Sequence, residues 1–294
     1  MLVPMLTRVI VAAFIVILVA KLVVRLGPSM GGLIAGLPVG LGPGFYFLML
    51  ESDTSFLYES ALYSLVALSA TQVFLLAYLI LAKFFRPLSC ALVCVVIWIL
   101  LASSLYQVNF NLLQAVFLFA FSTVVTRYVG SFFVGKELVE KESENDLILF
   151  LRAVVGGIII SFVTVFASRL GSHLSGILLA FPIAYILISF NIHHVFGKSI
   201  VTGVVYSALF GTISLAVFCV AFTILLQIFP LIYVLVLSLF GSVFVTALML
   251  ILEAKIAKNH LSFINPRRKH YFFCYSLPMR PAYFENSFQA VTIV

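Results

Sequence analysis

RLGPSMGGLIAGLPVGLGPGFYFLMLE, residues 25–51, is apolar and long enough to cross a bilayer, yet Pro38 interrupts it and Gly36, Gly40, Gly42, Pro43 and Gly44 crowd its centre. The chain repeats this 144 residues later as RLGSHLSGILLAFPIAYILISFNIHH, residues 169–194. Arg25, Leu26, Gly27, Gly32 and Pro38 recur as Arg169, Leu170, Gly171, Gly176 and Pro182, while Gly31, Gly36 and Gly40 correspond to Ser175, Ala180 and Ala184. A mid-span proline removes a backbone donor and clashes with the preceding turn, so each segment is expected to be a kinked or broken helix.

Composition fixes the class around these two segments. The 294 residues are 64% hydrophobic and 9% charged, with a mean hydropathy of +1.24, whereas a soluble domain is about 45–50% apolar and roughly 25% charged. The expected fold is therefore an all-α, polytopic transmembrane helical bundle. Apolar runs near the ~20 residues that cross a bilayer place helices at 8–26, 30–50, 57–82, 88–105, 109–129, 147–168, 172–192, 199–227 and 230–252. Arg8, Lys21 and Arg25 flank the first run, which lacks a small-residue cleavage site and reads as a retained span.

Nine spans also sort the charges. With the N-terminus outside, Arg8 and Arg169 alone of the 17 Lys and Arg residues fall outside, and Glu51, Asp53 and Glu59 lie in an outer loop. That is the positive-inside distribution, and it accounts for the net charge of +7 without nucleic acid. The expected location is the cell membrane, the inner one in a two-membrane envelope, with the C-terminus cytoplasmic.

The duplication extends beyond the broken segments. Arg8 corresponds to Arg152, Ala12 and Ala13 to Gly156 and Gly157, and, after a one-residue gap, Tyr63-Ser64 to Tyr206-Ser207 and Pro87 to Pro230. Equivalent helices are separated by an odd number of spans, so the halves face opposite ways. The reading is an inverted repeat of five plus four helices: a first repeat at 1–134, a charged inner linker at 135–146, a second repeat at 147–253 and a basic, aromatic cytoplasmic tail at 254–294. The Arg-Leu-Gly, Gly and Pro pattern resembles bacterial multi-pass membrane proteins with two duplicated halves, a group with no assigned activity to carry over.

Paired Gly/Pro-interrupted spans in such a repeat point to a midplane transport site. The expected substrate-binding residues are Pro38, Gly40, Gly42, Gly44, Tyr46, Ser175, Pro182, Tyr185 and Ser189, with Ser29, His173 and Asn191 as further polar groups on the same spans. Read for packing alone, the glycines make a smooth face for close helix approach. His193 and His194 read as interfacial, and Asn109, Asn111 and Gln114 as interhelical glue or a wet loop. Cys90, Cys94, Cys219 and Cys274 have no metal or redox spacing and read as packing residues.

No carboxylate lies deep in any span, which argues against proton antiport and for a neutral, apolar or anionic substrate. No metalloprotease motif, nucleophile elbow or nucleotide loop is present, so neither catalysis nor a cofactor is expected. The leading reading is a small transporter or permease contacting the lipid bilayer and an unidentified small molecule; a homo-oligomer is compatible with it. The alternative is a non-transporting assembly or lipid-contact protein. Reporter fusions test the topology: those after residues 54, 106 and 171 should report the outside and those after 86, 140, 196 and 258 the inside, and two or more reversals contradict it.

Overall fold

The computed structural model describes residues 36–38, 40–134 and 170–264, with side chains as far as residue 252. The expected spans at 8–26 and 147–168, the start of the 30–50 span, the linker 135–146, Ser29 and the tail beyond residue 264 lie outside the described residues.

All regular structure among the described residues is helical. The helices are α1 (Leu41–Met49), α2 (Thr54–Leu81), α3 (Pro87–Tyr106), α4 (Leu112–Gly130), α5 (Ser172–Leu179), α6 (Ile183–Leu225) and α7 (Leu231–Ile264). Five helical stretches are long and apolar enough to cross a membrane, with Ser172–Leu225 counted as one. This makes the chain an integral membrane protein.

Local chemistry sets the helix starts. Asp53 caps α2 by accepting the Phe56 amide at 2.8 Å, and no Gly or Pro interrupts the helix before Leu81. Pro87 occupies the first turn of α3, where its missing N–H costs nothing. Of the two readings of Asn111 and Gln114, interhelical glue does not hold: both are exposed where the loop enters α4 and form a reciprocal capping box, with Gln114 N donating to Asn111 Oδ1 at 2.9 Å and Asn111 N to Gln114 Oε1 at 3.0 Å. Free amides at a helix end outcompete a distant partner for these short side chains. Past the expected end at residue 252, α7 runs on to Ile264, since no proline intervenes before Pro266.

α2 is the hub. Of its most apolar stretch 72% is buried, against 28% for α3 and 17% for α4. α3 runs antiparallel to it, bringing Cys90 to Tyr78 and Trp98 to Thr71. α4 runs parallel, placing Val108 beside Tyr63 at its start and Thr123 and Thr126 beside Gln72. α6 turns back on itself. Its first arm follows α2, with His193 at Tyr78 and Lys198 Nζ donating to the Lys83 carbonyl at 3.0 Å. Its second arm returns, so that Thr212 comes back to Gln72. The reversal occurs at Gly197 (φ 81°, ψ −171°), a conformation that favours glycine. α7 then runs antiparallel to this return arm, joining Ser242 to Ser214.

In lipid, helices associate through small residues and hydroxyl bonds because tails offer no hydrophobic gain between them. Both devices join α2 to α5. Ser60 Oγ donates to the Ser172 carbonyl at 3.1 Å, Ser64 Oγ to Gly176 at 2.8 Å and Thr71 Oγ1 to Ala180 at 3.4 Å. Gly176 permits the approach, as a Cβ there would strike the Ser60 carbonyl. The opposite faces of α3, α4 and α7 carry exposed Leu92, Val96, Leu113, Phe117, Phe121, Phe240 and Phe244, which suit contact with the bilayer.

Gly176→Ala should destabilise the bundle by about 1–3 kcal/mol because the obstacle is backbone. Gly40→Ala should stay within about 0.5 kcal/mol of wild type, since its Cβ would meet nothing within 4 Å. Unfolding in mixed micelles measures both, and equal effects contradict the packing account.

Candidate functional site

The second proline segment is an interrupted helix, and in the first the described residues 36–38 are not helical. In the second, Phe181 N donates to Leu178 O at 3.1 Å and Ile183 N to Phe181 O at 2.8 Å, closing a three-residue turn around Pro182 (φ −79°, ψ 46°). The helix resumes from Ile183, with Ile186 N on Pro182 O at 2.9 Å. In the first, residues 36–38 turn and α1 starts after Gly40, with Gly42 N on Pro38 O at 2.8 Å and Gly44 N on Gly40 O at 3.1 Å. Pro43 falls in the first turn of α1, where a missing N–H is harmless.

The two segments meet. A Cβ on Gly44 would strike the Leu179 side chain, so the first turn of α1 lies against the end of α5 just before the Pro182 break. Gly42 faces Leu239 of α7, and Phe45 packs on Phe218 and Phe222 at centroid distances of 5.7 and 4.6 Å. Gly36 abuts the backbone of Gly211, leaving no room for a side chain.

A clasp from α2 and α3 steadies the second break. Thr71 Oγ1, whose single hydrogen is shared between the Ala67 carbonyl at 3.3 Å and the Ala180 carbonyl at 3.4 Å, accepts from Trp98 Nε1 at 3.1 Å, while the Trp98 ring meets Phe181 edge-on at 4.9 Å. A carbonyl freed by the proline thus finds a donor inside the protein, as hydrocarbon demands.

The nine expected binding residues therefore divide. Pro38, Gly42, Gly44, Ser175, Pro182, Tyr185 and Ser189 are buried, Gly40 is half-buried beside open space, and Tyr46 is 41% exposed on the outward side of α1 against Phe47. Ser175 Oγ donates to the Gly171 carbonyl at 2.7 Å. Tyr185 and Ser189 stand one turn apart on the first arm of α6, and the Tyr185 hydroxyl is buried without a hydrogen-bond partner. His173, at the start of α5, stacks on Tyr63 at 3.8 Å and approaches Glu59 Oε2 at 3.4 Å with Nε2. His193, expected at the interface, is instead turned into the bundle, its Nδ1 3.4 Å from the Tyr78 hydroxyl, while His194 is exposed.

Sequence reasoning missed the central amide. Gln72 is fully buried; the two hydrogens of its Nε2 serve Thr212 Oγ1 at 2.6 Å and Thr123 Oγ1 at 2.9 Å, with the Leu209 carbonyl, which accepts from Thr212 Oγ1 at 2.9 Å, 3.2 Å away, and its Oε1 accepts from Thr126 at 3.0 Å. This network ties α2, α4 and the return arm of α6 together beside the breaks. An amide in the middle of an apolar helix was the available signal. Among the described residues no cluster of His, Cys, Asp and Glu could hold a metal ion.

Thr71→Val should leave the Trp98 N–H and the Ala180 carbonyl unpaired and cost about 1–3 kcal/mol, whereas Thr71→Ser keeps both bonds. Unfolding in mixed micelles checks this, and a valine variant as stable as the serine variant contradicts the clasp. No protein-family profile, curated protein or solved structure matches the chain.

Proposed function

We propose that this protein is a small membrane transporter or permease whose site lies where the two broken helices meet, and that it is not an enzyme. The reading is carried by the contact of Gly44 with Leu179, together with a buried, unpartnered Tyr185 hydroxyl on the turn that follows the Pro182 break. Convergent half-helices are how secondary transporters present backbone polarity to a substrate at mid-membrane. A span that only packs has no use for two in-register breaks.

The inverted repeat and its nine spans belong to this proposal, and mirrored contacts support them. Gly36 corresponds to Ala180 at an offset of 144 residues; the first abuts Gly211 on the return arm of α6, and the second takes the Thr71 hydroxyl of α2. At an offset of 143 residues Thr71 corresponds to Ser214, and as Thr71 bonds Trp98 of α3, Ser214 bonds Ser242 of α7, one residue beyond the counterpart of Trp98. Each break thus rests on the long helix of the other half. α4 and α5 both run parallel to α2, in keeping with one further crossing between them and with the N-out, C-in cell-membrane topology read from the charges.

A second reading, a non-transporting assembly or lipid-contact protein, is favoured by the dry contacts of Gly36 on Gly211 and Gly176 on Ser60. Cysteine accessibility separates the two. In a background lacking the four native cysteines, Tyr185→Cys in membranes should react with a small water-borne methanethiosulfonate reagent. Ala67→Cys, at a fully buried α2 position, should stay inert. A Tyr185→Cys as inert as the control sinks the transporter reading and leaves packing.

A further inference from the structure

We propose that the amino end of the second half-helix, Ile183–Tyr185, is a carboxylate site, and that the transported molecule is a small organic acid; this rests on the transporter reading above. In that first turn Ile183 N is satisfied by Phe181 O and Ile186 N by Pro182 O. The amides of Ala184 and Tyr185, between them, meet no acceptor among the described residues, and no side chain caps the helix. Water satisfies such groups at a surface, but Pro182, Ile183 and Tyr185 are buried and Ala184 is half-buried. A buried helix start without partners is costly, more so at membrane depth.

The second observation is the Tyr185 hydroxyl. It is buried, with the residue only 3% exposed, and has no partner. Tyr185 stands on this same turn, and helical side chains lean toward the amino end of their helix. Two amides and a hydroxyl on one turn offer an anion three donors, backed by the roughly half positive charge of a helix amino terminus.

Charge decides between oxyanions. The buried polar set among the described residues is Ser, Thr, Gln, Asn and His, with no Asp or Glu to repel an anion and no Lys or Arg to neutralise a dianion. Three donors suit the two oxygens of a monovalent carboxylate. A phosphate dianion would lack a counter-charge.

The test uses the full chain in detergent with sodium benzoate, lactate and acetate, each at constant ionic strength, and benzamide as the uncharged match to benzoate. At least one carboxylate should raise the Tm by about 2 °C or more, because a ligand that binds only the folded state stabilises it. Benzamide should not, and Tyr185→Phe, which deletes a hydroxyl without a protein partner, should lose at least half of the shift. The same carboxylate should also slow labelling of Ser189→Cys by about threefold or more. No carboxylate shift, an equal benzamide shift, or a full shift in Tyr185→Phe overturns the proposal. If Tyr185→Cys is labelled while carboxylates have no effect, the anion assignment fails and the transporter reading stands; if Tyr185→Cys is inert, both fall.

Discussion

Hydrocarbon offers nothing to an unpaired peptide group, and the organisation of this bundle around the helix break at Pro182 follows from that constraint. A break frees amides and carbonyls, each costing several kcal/mol if left in lipid. At Pro182 the carbonyl side is settled within the protein: Ala180 takes the Thr71 hydroxyl, and Trp98 holds that hydroxyl in place. Among the described residues the Ala184 and Tyr185 amides meet no acceptor, and that asymmetry separates a merely kinked helix from a candidate site.

α2 makes the arrangement possible because one helix serves two partners. Its Ser60, Ser64 and Thr71 face docks α5 through a column of carbonyls, and Gln72, next to Thr71, gathers Thr123, Thr126 and Thr212 from α4 and α6. Each interhelical bond in a membrane is worth only about 0.6 kcal/mol on average. The arrangement therefore depends on several of them, and on glycines that let backbones approach. The unpartnered groups of the site are then held by neighbours that are themselves satisfied.

Much of this is legible in the sequence. Spans 57–82, 88–105, 109–129, 199–227 and 230–252 correspond to helices within a few residues at most ends, because long apolar runs punctuated by Pro87, Gly197 and Pro230 leave little choice. The Pro182 break follows from proline geometry alone. The hub does not, since Ser60, Ser64, Thr71 and Gln72 read as tolerated polar residues until their partners, over a hundred residues away for α5 and α6, are in place. A column of hydroxyls at 60, 64 and 71 beside small or turn residues at 172, 176 and 180 was a readable hint. His193 departs from the interfacial expectation because Tyr78 offers it a partner inside the bundle, and Asn111 and Gln114 depart from interhelical glue because the free amides at the start of α4 are nearer.

The central claim is that the two broken segments touch, and directed disulfide formation measures it. In a cysteine-free background, Gly44→Cys with Leu179→Cys should cross-link in native membranes under mild oxidation. So should the reference pair Ser214→Cys with Ser242→Cys, whose native hydroxyls lie 2.7 Å apart. Cross-linking of both pairs is the result this account predicts. Efficient cross-linking of the reference pair with none between positions 44 and 179 would contradict it.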